Sequence, residues 1–138
     1  MQQIIALLFC LILLAGCRPA NTRSANTGPN VSAAAEYRRI PATEANRMMG
    51  ESRGFILLDV RTLGEYTQRR IEGAILIPGN ELRSRAETEL PDKNTLILVY
   101  CQSGVRSANA ARTLAALGYV NVYDFGGISG WPYETVND

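Results

Sequence analysis

The sequence predicts a three-layer α/β domain in which helices cover both faces of a five-stranded, mainly parallel sheet. Three observations carry that reading. Residues 55–60 and 95–100 are continuous apolar runs of strand length, the pattern of strands buried on both faces. Segments with helical spacing or helix-forming composition lie between the strand candidates, so strand and helix alternate along the chain. Gly50, Pro78, Pro91 and Gly118 stand at the boundaries this alternation needs.

Taken in order, residues 37–40 are the first short strand candidate. Pro41 or Thr43 then opens a helix that runs to about Met49, where Gly50 is expected to stop it. The run 55–60 is the second strand. Residues 61–70 have helix-forming composition, with Thr62 as N-cap because its hydroxyl can accept from the orphan amides of the first turn. Residues 74–77 form a third strand ahead of Pro78, and residues 81–90 a charged helix, expected to face solvent and closed by Pro91. Residues 95–100 are the strongest strand. A helix over 107–117 presents Ala108, Ala111, Leu114, Ala115 and Leu117 at helical spacing, with Gly118 where a left-handed C-cap is wanted. Residues 120–123 complete the five strands. In such sheets ligands bind beyond the carboxyl ends of the strands, at a topological switch point, and Asp59 and Cys101 both stand at strand ends.

The chain opens differently. Residues 4–14 form an almost unbroken apolar run, short of the ~20 residues a bilayer-spanning helix needs but suited to the core of a signal peptide. It ends in Leu14-Ala15-Gly16-Cys17, which resembles the lipobox of bacterial lipoproteins, where cleavage before the cysteine exposes a residue that is acylated on sulfur. The expected organisation is a signal peptide over 1–16, a lipidated Cys17 and flexible linker over 17–35, and the folded domain over 36–138. The segment Met1-Gln2-Gln3 departs from the signal pattern in lacking Lys and Arg. The linker is rich in Asn, Thr, Ser, Ala, Pro and Gly and cannot bury enough apolar surface to offset ordering entropy. The expected location is the bacterial cell envelope, with the domain tethered by lipid on the periplasmic side.

Composition narrows the chemistry. With 14 Lys plus Arg against 13 Asp plus Glu, a formal charge of +1 gives no long-range field for nucleic acid, and any anion site must be local. The sequence contains no histidine, which removes Cys-His hydrolysis and most zinc chemistry, and it calls for no metal or cofactor. Of the 3 cysteines, Cys10 and Cys17 belong to the leader, leaving Cys101 as an unpaired thiol in the domain. Nothing in the sequence speaks to oligomeric state.

Cys101 follows the strongest strand directly, and Arg106 leads into a helix, with Gly104 between them free to take unusual backbone angles. In Cys101-Gln102-Ser103-Gly104-Val105-Arg106-Ser107 the amides from Gln102 to Ser107 and the positive end of the helix can converge on one point. That point suits a thiolate, a persulfide or a bound oxyanion. A thiolate stabilised in this way is nucleophilic without a histidine base. The competing reading of Cys101 is a small buried apolar residue at a strand end. Arg106 has two readings as well: a planar donor to an anionic substrate, or a cation held by a carboxylate that shapes the loop.

Asp59-Val60-Arg61, Glu65-Tyr66, Ile71-Glu72-Gly73-Ala74, Ile77-Pro78, the loop from Tyr100 to Ser107 and Gly126-Gly127-Ile128-Ser129-Gly130-Trp131 together resemble the rhodanese family, in order and at its spacing. The resemblance implies a parallel sheet in the order 1-5-4-2-3 with helices on both sides, which sets the strands ending at Asp59 and Cys101 side by side. It implies a sulfurtransferase in which Cys101 takes a sulfane sulfur from a donor such as thiosulfate and yields it, through a persulfide, to cyanide, a thiol or a protein. With no second thiol in the domain, the acceptor comes from outside.

Related phosphatases and arsenate reductases place five residues between cysteine and arginine, whereas Gln102, Ser103, Gly104 and Val105 make four here, a smaller cradle that favours sulfur. Asp59 and Arg61 match the family's Asp-x-Arg. They serve either as supporting hydrogen bonds beside the loop, with Arg61 in reach of Glu65 along the helix, or as direct substrate contacts. Gly126, Gly127 and Trp131 read as turn and packing residues of the closing segment. Where many members have Gly-His-Ile this chain has Arg69-Arg70-Ile71, two arginines that either widen a positive rim or complement a helix end. The alternatives to a turnover enzyme are a sulfur-carrier or interaction module and, disfavoured by loop length, an oxyanion phosphatase or arsenate reductase.

Overall fold

Apolar strands buried on both faces need cover on both sides, and four helices supply it in the computed structural model, which describes residues 36–138. The elements are Arg38–Arg39 (β1), Ala42–Glu51 (α1), Ile56–Asp59 (β2), Leu63–Gln68 (α2), Ile75–Leu76 (β3), Leu82–Glu89 (α3), Ile97–Cys101 (β4), Val105–Ala116 (α4) and Val122–Gly127 (β5), followed by a 3₁₀ turn at Ile128–Gly130. All strand pairs are parallel and the order is β1-β5-β4-β2-β3, as the family resemblance implies. The leader, Cys17 and the linker expected over 1–35 lie outside the described residues. Among the described residues no helix is long and apolar enough to cross a membrane.

Side chains on a strand alternate between faces, and this alternation builds two cores. Leu58, Ile97, Val99 and Cys101 face α3 and α4, meeting Leu82, Ala86, Ala111 and Leu114. Leu57, Leu98, Tyr100 and Phe125 face the other way, toward Ala45 of α1 and Trp131. The edge strands β1 and β3 have two residues each, which leaves little unpaired backbone for another chain to extend.

Several boundaries differ from expectation for identifiable reasons. Helix α1 passes through Gly50 and ends at Glu51. Gly50 is exposed, and Arg47 bonds to both Glu44 and Glu51, bracing the last turn against a glycine penalty of about 1 kcal/mol. Helix α3 is not wholly solvent-facing: Leu82, Ala86 and Leu90, four apart, are buried in a row. Helix α4 begins at Val105, two residues before the expected start, because Gly104 at φ 102° turns the chain directly from loop into helix. Its other end follows expectation. Gly118 takes φ 90°, and its amide and that of Tyr119 bond the carbonyls of Ala115 and Leu114, closing a Schellman cap.

Candidate active site

Parallel strands of one sheet end on the same side, so Arg39, Asp59, Cys101 and Gly127, the last residues of β1, β2, β4 and β5, come to a common edge. The register makes the arrangement tighter. Val99 stands opposite Asp124, yet Cys101 stands opposite Gly127, so β5 carries one extra residue and bulges. Gly126 takes φ 89° in the bulge, and its amide donates to Asp124 Oδ1 at 2.9 Å. Gly127 then runs against the cysteine loop so closely that a Cβ on it would lie 2.4 Å from the Gln102 carbonyl oxygen.

That contact sets the direction of the loop's amides. The Gln102 carbonyl accepts from the Ser129 amide at 3.2 Å and from the Ser129 hydroxyl at 2.8 Å. In a trans peptide the carbonyl and the following N–H point in opposite directions, so anchoring Gln102 to Ser129 turns the Ser103 amide back toward the sulfur. The Gly104 amide lies 3.0 Å from Cys101 Sγ. The Ser107 hydroxyl lies 3.1 Å from the carbonyls of both Gly104 and Gly126 and holds the loop to β5. Burial pushes the Cys101 thiol up, but the amides of Ser107, Gly104 and Ser103 outweigh it, and the thiol ends below its ordinary value. Cys101 itself is fully buried, while Gln102, Ser103 and Val105 of the loop are exposed. The sulfur therefore combines the burial of a core residue with the amide surroundings of an anion site.

Asp59 and Arg61 form a buried pair at the neighbouring strand end, 0% and 2% exposed. Asp59 Oδ1 accepts from the Arg61 amide at 2.9 Å and Oδ2 from Arg61 Nη2 at 2.6 Å; the same guanidinium donates to the Arg69 carbonyl at 2.5 Å and lies 5.6 Å from the centre of the Tyr100 ring. The expected Arg61–Glu65 pairing does not form. Arg61 precedes the N-cap Thr62, so it is not on α2 and helical spacing does not apply to it. Glu65 instead closes a capping box with Thr62 and reaches across to Arg106, accepting from Nη1 at 2.7 Å and Nη2 at 2.6 Å. The bond to Arg106 is the main reason the Glu65 carboxyl is pulled down to about 2. Of the two readings of Arg106, the structure thus has the carboxylate-held one. Val105, also in the loop, turns outward at 69% exposure.

Beside the loop opens a cleft of about 360 Å³ between Val60 and Arg61, Pro78 and Asn80, and Arg106 and Asn109. Arg69 donates from Nη2 to the Ile128 carbonyl at 2.7 Å, so it ties the closing segment to α2 from within the rim. Trp131 packs on Phe125 with ring centres 5.4 Å apart, the packing role expected of it. Ser129, quoted in the closing motif but given no role by sequence, aims the loop with its hydroxyl and amide, and Arg39, not singled out by sequence at all, has an Nη2 that would stand 3.3 Å from a Cβ on Gly104. No periodicity marks either residue; only the pairing of β1 and β4 with β5 brings them to the loop.

A parallel sheet whose inner strand ends in a cysteine, wrapped by the amides that open the next helix, defines a class of domains built to hold a charged sulfur or a small oxyanion. The chain belongs to the rhodanese-like domain family, whose model matches residues 41–133. It is similar to the thiosulfate sulfurtransferase PspE of Escherichia coli (strain K12), 41% identical over 71 residues that make up 51% of this chain and 68% of that protein. It is also similar to the thiosulfate sulfurtransferase GlpE of Coxiella burnetii (strain RSA 331 / Henzerling II), 30% identical over 96 residues, covering 69% of this chain and 87% of that one. Among solved structures, a rhodanese with anions from E. coli superposes with a TM-score of 0.57 at 36% identity, over 60% of this chain and 98% of that chain.

Proposed function

We propose that the domain is a sulfurtransferase that carries a sulfane sulfur on Cys101. Family membership and relatives named thiosulfate sulfurtransferases support the class of reaction. The observation that supports the residue is the amide cradle, with the Gly104 N–H 3.0 Å from Sγ and the thiol drawn below its ordinary value despite burial.

In the first half-reaction the Cys101 thiolate attacks the outer sulfur of a donor such as thiosulfate. A Sγ–S bond forms as the donor's sulfur–sulfur bond breaks, and sulfite leaves with the electron pair. The cysteine is left as a persulfide anion of unchanged total charge. The amides of Ser103, Gly104 and Ser107 are the donors for that anion, fixed before it forms, so little reorganisation accompanies the step. In the second half-reaction a thiol, cyanide or protein nucleophile attacks the outer persulfide sulfur and the Cys101 thiolate departs. Cys101 is the free cysteine among the described residues, so the acceptor is another molecule. The cleft between Arg61, Asn80 and Asn109 lies beside the loop and offers it room.

Incubation with thiosulfate followed by intact-mass measurement tests the reading. One added sulfur atom, lost on treatment with cyanide and absent in Cys101→Ser, is expected; no added mass with any sulfane donor sinks it.

The leader motif ending in Cys17 supports placing this reaction at the cell envelope, on a lipid tether. Fractionation tests it: the chain should partition with membranes and Cys17→Ser should not, whereas equal partitioning of the two contradicts the tether.

A further inference from the structure

Four arginines stand around the cysteine loop, and three are committed. Arg61 is spent on Asp59, Arg106 on Glu65, and Arg69 on the Ile128 carbonyl. The fourth, Arg39, is exposed at the end of β1 and makes no side-chain hydrogen bond or ion pair among the described residues. Its guanidinium nevertheless sits close to the cysteine loop. A Cβ on Gly104 would meet Arg39 Nη2 at 3.3 Å, and one on Gly126 would meet it at 4.0 Å. The guanidinium therefore lies against the two left-handed glycines where the cysteine loop touches the β5 bulge.

Asp124, paired in register with Arg39 across β1 and β5, offers an obvious carboxyl partner on the same face of the sheet. It is fully buried, its Oδ1 accepts from the Gly126 amide, and its Oδ2 has no partner among the described residues. Arg39 forms no ion pair with it, and the planar donor fork is left open beside the loop. Gly104 links the two halves of the arrangement: its amide meets the Cys101 sulfur at 3.0 Å, and its Cα faces the guanidinium.

We propose that Arg39 is a binding residue for the oxyanion end of the sulfur donor, making a subsite for a sulfonate-like group next to the amide cradle that takes the transferable sulfur. This rests on the sulfurtransferase reading and adds to it a preference for anionic donors. In the transfer step already described, the guanidinium pairs with the sulfonate oxygens of the donor and stays with sulfite as the sulfur–sulfur bond breaks. It supplies no proton and accepts no electrons. Gly104 and Gly126 border the guanidinium at φ 102° and 89°, and a Cβ on Gly104 would stand 3.3 Å from Arg39 Nη2 and from the Gly126 Cα.

The test compares the full chain with Arg39→Gln and Arg39→Lys in two assays read at Cys101 by peptide mass. In the first, persulfide loading is followed against thiosulfate concentration. In the second, Cys101 is alkylated by anionic iodoacetate and by neutral iodoacetamide, where the thiolate displaces iodide in both cases. For Arg39→Gln the expected results are a thiosulfate KM raised about tenfold with kcat nearly unchanged, and an iodoacetate-to-iodoacetamide rate ratio lowered by a similar factor, the equivalent of about 1.4 kcal/mol. Arg39→Lys should recover most of both effects. Unchanged KM and an unchanged reagent ratio in Arg39→Gln overturn the subsite, as does an equal fall in both alkylation rates, which would mark a structural role. Should the parent chain fail to load sulfur while its reagent ratio still depends on Arg39, the sulfurtransferase reading fails and the anion subsite stands.

Discussion

The backbone of Gly127 presses on the carbonyl of Gln102: a Cβ there would lie 2.4 Å from that oxygen and 2.7 Å from the Ser103 Cα, both parts of backbone that cannot swing aside. Because the same carbonyl is anchored to Ser129, the contact fixes which way the Ser103 amide points. Gly127→Ala should therefore disturb the loop more than the rest of the domain. Overpacking of this kind costs about 1–3 kcal/mol, and sulfur loading of Cys101 should fall by a factor of about ten or more through the lost amide contacts. Denaturant melts and loading rates check both; normal loading in a folded Gly127→Ala chain would contradict the amide account.

Glu65 joins α2 to α4 through its paired bonds to Arg106. Its carboxyl is drawn from an ordinary 4.5 to about 2, chiefly by Arg106. A depressed acid stabilises the fold fully above its unfolded value and loses that contribution as pH falls through the folded one. Full conversion of the shift would give about 3 kcal/mol, but side-chain exposures of 29% and 41% let solvent screen the pair, reducing it to about 1 kcal/mol. Glu65→Gln should be less stable than the parent by that amount at neutral pH, and the gap should close between pH 4.5 and pH 2. A gap independent of pH would mean the pair contributes nothing.

Asp59 and Arg61 are a different case, because neither reaches solvent. Removing one partner strands the other's charge in the interior, a loss of about 3–5 kcal/mol. Asp59→Ala should lower the urea midpoint correspondingly and loosen the Arg61 contact with the Arg69 carbonyl. A change below about 1 kcal/mol would show that water reaches the pair.

The order of elements and the cysteine loop were legible because each rests on local signals: the apolar runs of β2 and β4, Thr62 as a cap, Gly118 as a helix stop and the loop of four residues between Cys101 and Arg106. What local signals could not supply were partners across the fold. The spacing of Arg61 and Glu65 suggested a helical pair, but the cap at Thr62 puts them on opposite sides of a helix start and sends each to a different residue. Arg106 could be placed beside the loop, yet its aim depended on a carboxylate 41 positions away in sequence. Ser129 shows in sequence only as a member of the closing motif and Arg39 carries no pattern of its own; both become part of the site through the pairing of β5 with β4 and β1. Residues Leu82, Ala86 and Leu90 show the reverse: their spacing was visible, and the surrounding charges hid it.

On the proposed mechanism, peptide amides held in place by one serine, without an imidazole, keep a buried sulfur negatively charged. The most direct test is a titration of the Cys101 thiolate by ultraviolet absorbance, taken as the difference between the parent chain and Cys101→Ser. A midpoint below that of the same thiol in the unfolded chain, rising in Ser107→Ala as the loop loses its tie to β5, is the predicted result. A midpoint at or above that of the unfolded chain, unmoved by Ser107→Ala, would mean that burial prevails over the amides and would contradict that mechanism.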